Sequence, residues 1–220
     1  MSTNPKPLLC YVTDRRALAS TVSGGPCEAL LRVISCCVAA GVDWIQIREK
    51  NLPTAALRQL VASSIGMIHG SSTRILVNDR LDVAIAAGAH GVHLGEASLP
   101  PEEVVRWRND AGRVEFLVGV SCHSVEAVRA AEAAGADYAF FGPVFTSPSK
   151  AAFGPPQGIK KLAQACAAVR IPVLAIGGIA LANARECITA GAAGLAAIRL
   201  FQEAADAKTV IAELRKLSGD

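Results

Sequence analysis

Aromatic residues are scarce in this chain of 220 residues: Phe, Trp and Tyr together make up 5%. A core must therefore be built mainly from Ala, Val, Ile and Leu. Charge is also thin, at 19% Asp, Glu, Lys and Arg against 51% apolar residues, a balance that excludes disorder by composition. Lys and Arg outnumber Asp and Glu by only three, and no basic run exceeds a couple of residues. Nucleic acid is not expected as a partner, because phosphate backbones are met by clustered cations. No apolar run approaches the roughly 18 residues of a membrane-spanning helix. The opening Met-Ser-Thr-Asn-Pro-Lys-Pro lacks the apolar stretch of a secretory signal.

Paired cysteines are missing as well. Seven occur, an odd number with no CxxC, and most sit in apolar runs. They read as small apolar fillers in a reducing compartment rather than as a disulfide framework. The expectation is a soluble, cytoplasmic protein without membrane contacts. GxSxG, Walker A, Rossmann and zinc-spaced motifs are all absent.

What is present is repetition. Strand-length apolar runs recur at Leu8–Thr13, Trp44–Arg48, Ile75–Asn78, Gly91–Leu94, Phe116–Val120, Tyr138–Val144, Pro172–Ile176 and Gly194–Leu200. They do not alternate cleanly, as expected of parallel strands covered on both faces. Ala-rich helical segments lie between them, among them Val125–Ala134, Gln164–Val169 and Ala182–Ala190. Eight such units at about 27 residues each predict an α/β fold, a (β/α)8 TIM barrel. The expected organisation is a single barrel domain over residues 1–220, with 1–7 as a flexible tail. AAGVDW, AAGAHG, AAGADY and TAGAAG punctuate the chain, with glycines at 41, 88, 135 and 191. Each glycine falls between an Ala-rich helix and an even-numbered strand, where a left-handed residue closes the helix. Ser20–Pro26 and Ser149–Gln157 carry enough Gly, Pro or Ser to be mobile loops.

In such barrels the chemistry sits at the C-terminal ends of the strands. Gln46, Arg48 and Lys50 alternate along the second strand, so they can converge on one ligand. A guanidinium with an ammonium suits phosphate or diphosphate; the competing reading pairs these cations with Glu49 at the surface. Gly177-Gly178 ends the seventh strand and lets backbone N–H groups approach a phosphate. Asp79, beside Asn78, offers hard oxygen for Mg2+ or, alternatively, a helix N-cap. Ser147, Ser149 and Lys150 form either an anion-binding loop or a plain surface loop. His93 reads better as a hydrogen-bonded barrel residue than as a ligand. His123 is open between helix cap and acid–base group.

Taken together, QIREK, VNDRLDVAIAAGAHGVHLGE, VGVSCHS, GADYAFFGPVFTSPSK, the Gln-Gly at 157–158 and AIGGI resemble the thiamine-phosphate synthase family and its relative, thiazole tautomerase. The resemblance runs from about Tyr11 to Phe201. It implies a transferase joining 4-amino-2-methyl-5-pyrimidinylmethyl diphosphate to a thiazole phosphate, with pyrophosphate released. It implies that Gln46, Arg48, Lys50, Asn78, Ser121 and Lys150 hold the pyrimidine diphosphate. Arg48, Lys50 and Lys150 would stabilise the leaving charge, and Asp79 would ligate Mg2+. Ser147, Pro148, Ser149, Gly178, Ile198 and Arg199 would hold the thiazole phosphate. Ser98 stands where the family carries a second metal carboxylate, Arg199 where it carries a phosphate-binding Ser, and Ser147 and Ser149 where it carries Thr. Position 98 therefore resembles the metal-free tautomerase, whose catalytic His matches His123. A non-catalytic barrel binding phosphorylated ligands is the remaining alternative. The implied partners are phosphorylated small molecules, and homo-oligomerisation is left open.

Overall fold

The computed structural model describes residues 6–18, 25–146 and 155–217. Eight parallel strands close into a barrel in sequential order. They are β1 (Leu8–Val12), β2 (Trp44–Ile47), β3 (Arg74–Asn78), β4 (Gly91–Leu94), β5 (Leu117–Cys122), β6 (Tyr138–Phe141), β7 (Val173–Ile176) and β8 (Gly194–Ala197). Among the described residues the helices are α1 (Gly25–Ala39), α2 (Thr54–Met67), α3 (Leu81–Ala87), α4 (Pro101–Asp110), α5 (Val125–Ala133), α6 (Gly158–Ala167), α7 (Leu181–Thr189), the four-residue α8 (Arg199–Gln202) and α9 (Ala207–Arg215). None of them is long and apolar enough to cross a membrane.

β1, β2 and β7 lose one terminal residue of their expected runs, and two strands stop well short of theirs. β6 stops at Phe141 because Pro143 has no N–H to give to the ladder. The run through Leu200 is strand only to Ala197 and then coils into α8; an unbroken apolar run does not by itself distinguish strand from helix. Phe116 precedes β5 rather than opening it. Of the stretch read as a tail, Pro7 is buried and its carbonyl accepts from Arg215 Nη1 at 2.5 Å. The expected loops Ser20–Pro26 and Ser149–Gln157 fall largely outside the described residues.

The repeating glycines all take the left-handed conformation, with φ of 85°, 73°, 83° and 94° at positions 41, 88, 135 and 191. Two residues past each, the backbone N–H of Asp43, His90, Asp137 and Ala193 donates to the carbonyl of Leu9, Ile75, Val118 and Val173. Three of these residues return the bond through their side chains. Asp43 Oδ2 accepts from Leu9 N at 2.7 Å, His90 Nδ1 from Ile75 N at 3.2 Å and Asp137 Oδ2 from Val118 N at 2.6 Å. The same two carboxylates hold Arg215 and Arg108 at 2.9 and 2.6 Å. The repeat in the sequence is thus a repeated clasp between each odd strand and the even strand after it.

Apolar residues divide into two layers. The outer one packs the helices onto the strands and includes Leu30, Ile34, Val61, Val128, Leu162 and Leu195. The inner one fills the barrel with Cys10, Val12, Leu76, Tyr138, Phe140, Leu174 and Ala196. Three of the few aromatics meet there: Trp44 lies 4.7 Å and Phe140 5.4 Å from Tyr138, centroid to centroid. Gly119 faces Tyr138 across the β5–β6 ladder, and a Cβ at 119 would lie 2.0 Å from the ring. The absent side chain is the space the tyrosine occupies.

All seven cysteines are free. Cys10, Cys37, Cys122 and Cys187 are buried, as fillers should be, and burial pushes the thiols of Cys37, Cys122 and Cys187 up to about 12. Cys36 departs from that reading: it is exposed, because its neighbour Cys37 takes the buried face of α1.

Candidate active site

The plug of aromatic and aliphatic side chains gives way to polar groups at the C-terminal ends of the strands. Gln46 is 2% exposed and points into the barrel, its Nε2 donating to Asn78 Oδ1 at 2.9 Å. Arg48, two residues further along, continues the same side of the chain beyond β2. Asn78 pairs in register with His93. His93 is fully enclosed, with Nδ1 3.0 Å from Tyr138 Oη and Nε2 2.9 Å from Ser121 Oγ. Its ring lies 4.2 Å from Phe140. Burial, helped by the nearby Arg48 cation, pushes its pKa down to about 3, so the imidazole is neutral. Gln46 with Asn78, and His93 with Ser121, thereby form two hydrogen-bonded pairs that lie side by side in an arc over β2 to β5. His93 is the barrel hydrogen-bonder that the sequence suggested.

Glu49 does not pair with Arg48. It lies on the opposite side of the chain, where its side chain is 1% exposed and accepts from Thr13 Oγ1 at 2.7 Å, Arg15 N at 3.0 Å and Arg15 Nη1 at 2.9 Å. Thr13 Oγ1 also accepts from Arg48 N at 2.9 Å. The cation's backbone is therefore tied to the end of β1 while its side chain is left to the mouth. Lys50 is exposed in the turn beyond.

Asp79 adopts φ 67°, a left-handed conformation that Asp tolerates better than most residues. Its N–H donates to the His93 carbonyl at 2.8 Å, and its carboxylate is exposed at the end of β3. It does not cap α3, whose N-cap position is Arg80, with no side-chain bond. Ser98 Oγ accepts from Gly95 N at 2.7 Å and closes the turn after β4. No group of three His, Cys, Asp or Glu side chains suited to a metal occurs among the described residues.

His123 does not cap α5 either; Ser124 does, accepting from Ala127 N. Instead its Nδ1 is hydrogen-bonded to the Gly142 carbonyl, and its Nε2 stands 3.8 Å from Glu96 Oε1. On the other side of the mouth, Gly177 and Gly178 have φ of 94° and 68°. A Cβ on Gly177 would lie 2.5 Å from Pro143 Cβ, and one on Gly178 2.7 Å from Phe145 Cβ. The pair therefore seats the chain leaving β6 as well as exposing backbone. Ile198 packs against the barrel interior at the end of β8, and Arg199 is exposed at the start of α8. Ser147, Pro148, Ser149 and Lys150 lie outside the described residues. Among the described residues, surface cavities of about 290 and 400 Å³ lie elsewhere: one beside His90, Arg113 and Phe116, the other between α1 and the segment running from α8 to the start of α9.

Thr13, Tyr138 and Glu96 have no role in the sequence reading, and Glu49 has only that of a surface partner for the cations. Glu49 was detectable, since an acidic residue between two inward cations on a strand must face the other way. Tyr138 carried no such signal, because its contact to His93 spans 45 positions.

A parallel barrel with cationic and amide groups gathered at one mouth defines an enzyme of the TIM-barrel class. The comparisons with known proteins make this specific. Residues 11–201 match the family described as Thiamine monophosphate synthase, and the chain belongs to that family, whose activity is a transferase step of thiamine biosynthesis. It is 42% identical over 177 residues to a thiamine-phosphate synthase of Methanoculleus marisnigri, covering 80% of this chain and 82% of that one. It is 38% identical over 191 residues to the thiamine-phosphate synthase of a Roseiflexus species, covering 87% and 76%. The solved thiamine phosphate pyrophosphorylase of Pyrococcus furiosus superimposes with a TM-score of 0.80 at 31% identity, over 96% of this chain and 95% of that one.

Proposed function

We propose that the mouth couples 4-amino-2-methyl-5-pyrimidinylmethyl diphosphate to a thiazole phosphate. The observation that carries this assignment is the arc of Gln46, Asn78, His93 and Ser121 beside Arg48 at the strand ends of a barrel from this family. The methylene C–O bond breaks, its electron pair leaves with pyrophosphate, and the thiazole nitrogen lone pair forms the new C–N bond. Charge grows on the leaving oxygens, so fixed cations accelerate the step without a protein nucleophile. Arg48, Lys50 and Lys150 supply those cations, and Gln46, Asn78 and Ser121 orient the pyrimidine diphosphate. Gly178, Ile198 and Arg199, with Ser147, Pro148 and Ser149, hold the thiazole phosphate. His93, being neutral, adds no charge beneath the diphosphate.

The donors present fit Mg2+ carried on substrate oxygens better than a protein-caged ion, because the exposed carboxylates at the strand ends, Asp79 and Glu96, belong to no cluster of three ligands among the described residues, and Mg2+ keeps waters and substrate phosphates in such sites. Asp79 would hold it, with Ser98 reaching it through water, and once bound it would offset negative charge on the leaving group. The test is to incubate the protein with both substrates and follow pyrophosphate with Mg2+ and with EDTA. Release that requires both substrates and Mg2+ supports the reading; no release refutes it.

The bond from His123 Nδ1 to Gly142 favours one second reading, thiazole tautomerisation, because it leaves Nε2 to exchange a proton at the rim. Wild-type protein that aromatises the non-aromatic thiazole in EDTA, and loses this with His123→Ala, would establish it. Coupling that stays within about tenfold in the same variant supports the synthase, since lost acid–base help costs about 100-fold.

A further inference from the structure

We infer that Tyr138, acting through His93, fixes the Ser121 hydroxyl as a hydrogen-bond donor toward the mouth. Tyr138 is fully buried, and among the described residues its hydroxyl has one hydrogen-bond partner, His93 Nδ1. A phenol proton needs an acceptor, and a buried one without it is disfavoured. If Nδ1 carried the ring proton it would donate to Tyr138 Oη and leave the phenol proton with nowhere to go. The imidazole must therefore accept at Nδ1 and carry its proton on Nε2. Nε2–H then donates to Ser121 Oγ, 2.9 Å away. One lone pair of Ser121 is occupied, and its own proton is turned to whatever sits above it.

The geometry allows little escape. Tyr138 cannot swing aside, because its ring fills the space left by Gly119 and packs against Trp44 and Phe140. His93 is clamped against Phe140. Ser121 is the one half-open member, at the end of β5. A hydroxyl with one lone pair already taken discriminates between ligands: its proton favours an anionic oxygen, while a donor in the same place can use only the one lone pair left. Tyr138 and His93 are thus positioning residues, and the ligand class they select is a phosphate or diphosphate oxygen. This deepens the proposed function and rests on it for the identity of the ligand.

The test begins with His93 itself. Long-range 1H–15N correlation spectra of wild-type protein should show Nε2 protonated and Nδ1 bare; the opposite tautomer overturns the proposal. Tyr138→Phe keeps the ring and removes only the hydroxyl. It should shift His93 toward a mixture of tautomers and weaken inorganic pyrophosphate by about five- to tenfold, the scale of one well-placed hydrogen bond. In a Ser121→Ala background the same change should cost less than about twofold, since coupled residues are not additive. Unaltered pyrophosphate affinity in Tyr138→Phe, or full additivity with Ser121→Ala, overturns the relay. Because these readouts need no turnover, a wild type that binds pyrophosphate through the relay but fails to couple the two substrates would sink the synthase reading alone. A wild type that does not bind pyrophosphate overturns the donor role too.

Discussion

Thr13 Oγ1 donates to Glu49 at 2.7 Å while accepting the amide of Arg48 at 2.9 Å, so one hydroxyl joins a buried carboxylate to the backbone of the principal cation. Thr13→Val keeps the shape, strands the Arg48 amide and leaves Glu49 with only its Arg15 donors. It should cost about 1–3 kcal/mol in urea denaturation, the range for leaving a buried polar group unpaired. Displacement of Arg48 should also raise KM for the pyrimidine diphosphate, with Thr13→Ser restoring both. A valine variant with wild-type KM would show that Arg48 does not depend on this tie.

Arg48 is expected to matter more in the transition state than in the ground state. Arg48→Ala should lower kcat/KM for coupling at least about 100-fold, the usual scale for removing one preorganised charge stabiliser. Steady-state kinetics within about threefold of wild type would remove it from the mechanism.

Ser98 already accepts a backbone N–H in its turn, a bond that an aspartate side chain can also accept. Ser98→Asp should therefore fold normally and add a hard ligand beside Asp79. The Mg2+ concentration giving half-maximal rate should fall. An unchanged titration would place residue 98 away from the metal.

His93 makes stability depend on pH in a defined direction. Its folded pKa, about 3, lies below the ordinary 6.5, so the unfolded chain binds the proton first as pH falls. The stabilisation is complete above about pH 6.5 and drains away toward pH 3. Between pH 7 and 5 it should remove roughly 2 kcal/mol, at about 1.4 kcal/mol per unit. Urea midpoints should show His93→Gln with a correspondingly flatter slope over that window; parallel slopes would mean that His93 is protonated without penalty.

The barrel was readable from sequence because its signals are local. Unbroken apolar runs, Ala-rich helices and a glycine before each even strand need no knowledge of distant contacts, and the glycines take the backbone conformation that their positions suggested. Strand ends were harder: Pro143 and the coil into α8 cut short runs whose composition continues. Side-chain direction at the mouth was half legible. Alternation along β2 places Gln46 and Arg48 on one side, yet the use of Glu49 on the other depends on Thr13 and Arg15, more than thirty residues away. The Tyr138–His93–Ser121 chain was hidden for the same reason, being three strands meeting inside a closed barrel.

The clasp between strand pairs is completed by a side chain at Asp43, His90 and Asp137 but not at Ala193, where only the backbone half of the motif forms. The fourth copy lacks an acceptor that the other three supply, and those three are a blueprint for adding it. Ala193→Asp would offer the missing acceptor to the Val173 amide at an exposed joint, worth roughly 0.5–1.5 kcal/mol if it behaves as an ordinary hydrogen bond. The joint precedes β8, whereas the chemistry gathers where strands finish. Thermal tolerance and turnover are therefore separately adjustable in this barrel, and melting curves beside initial rates would reveal the first rising while the second stands still.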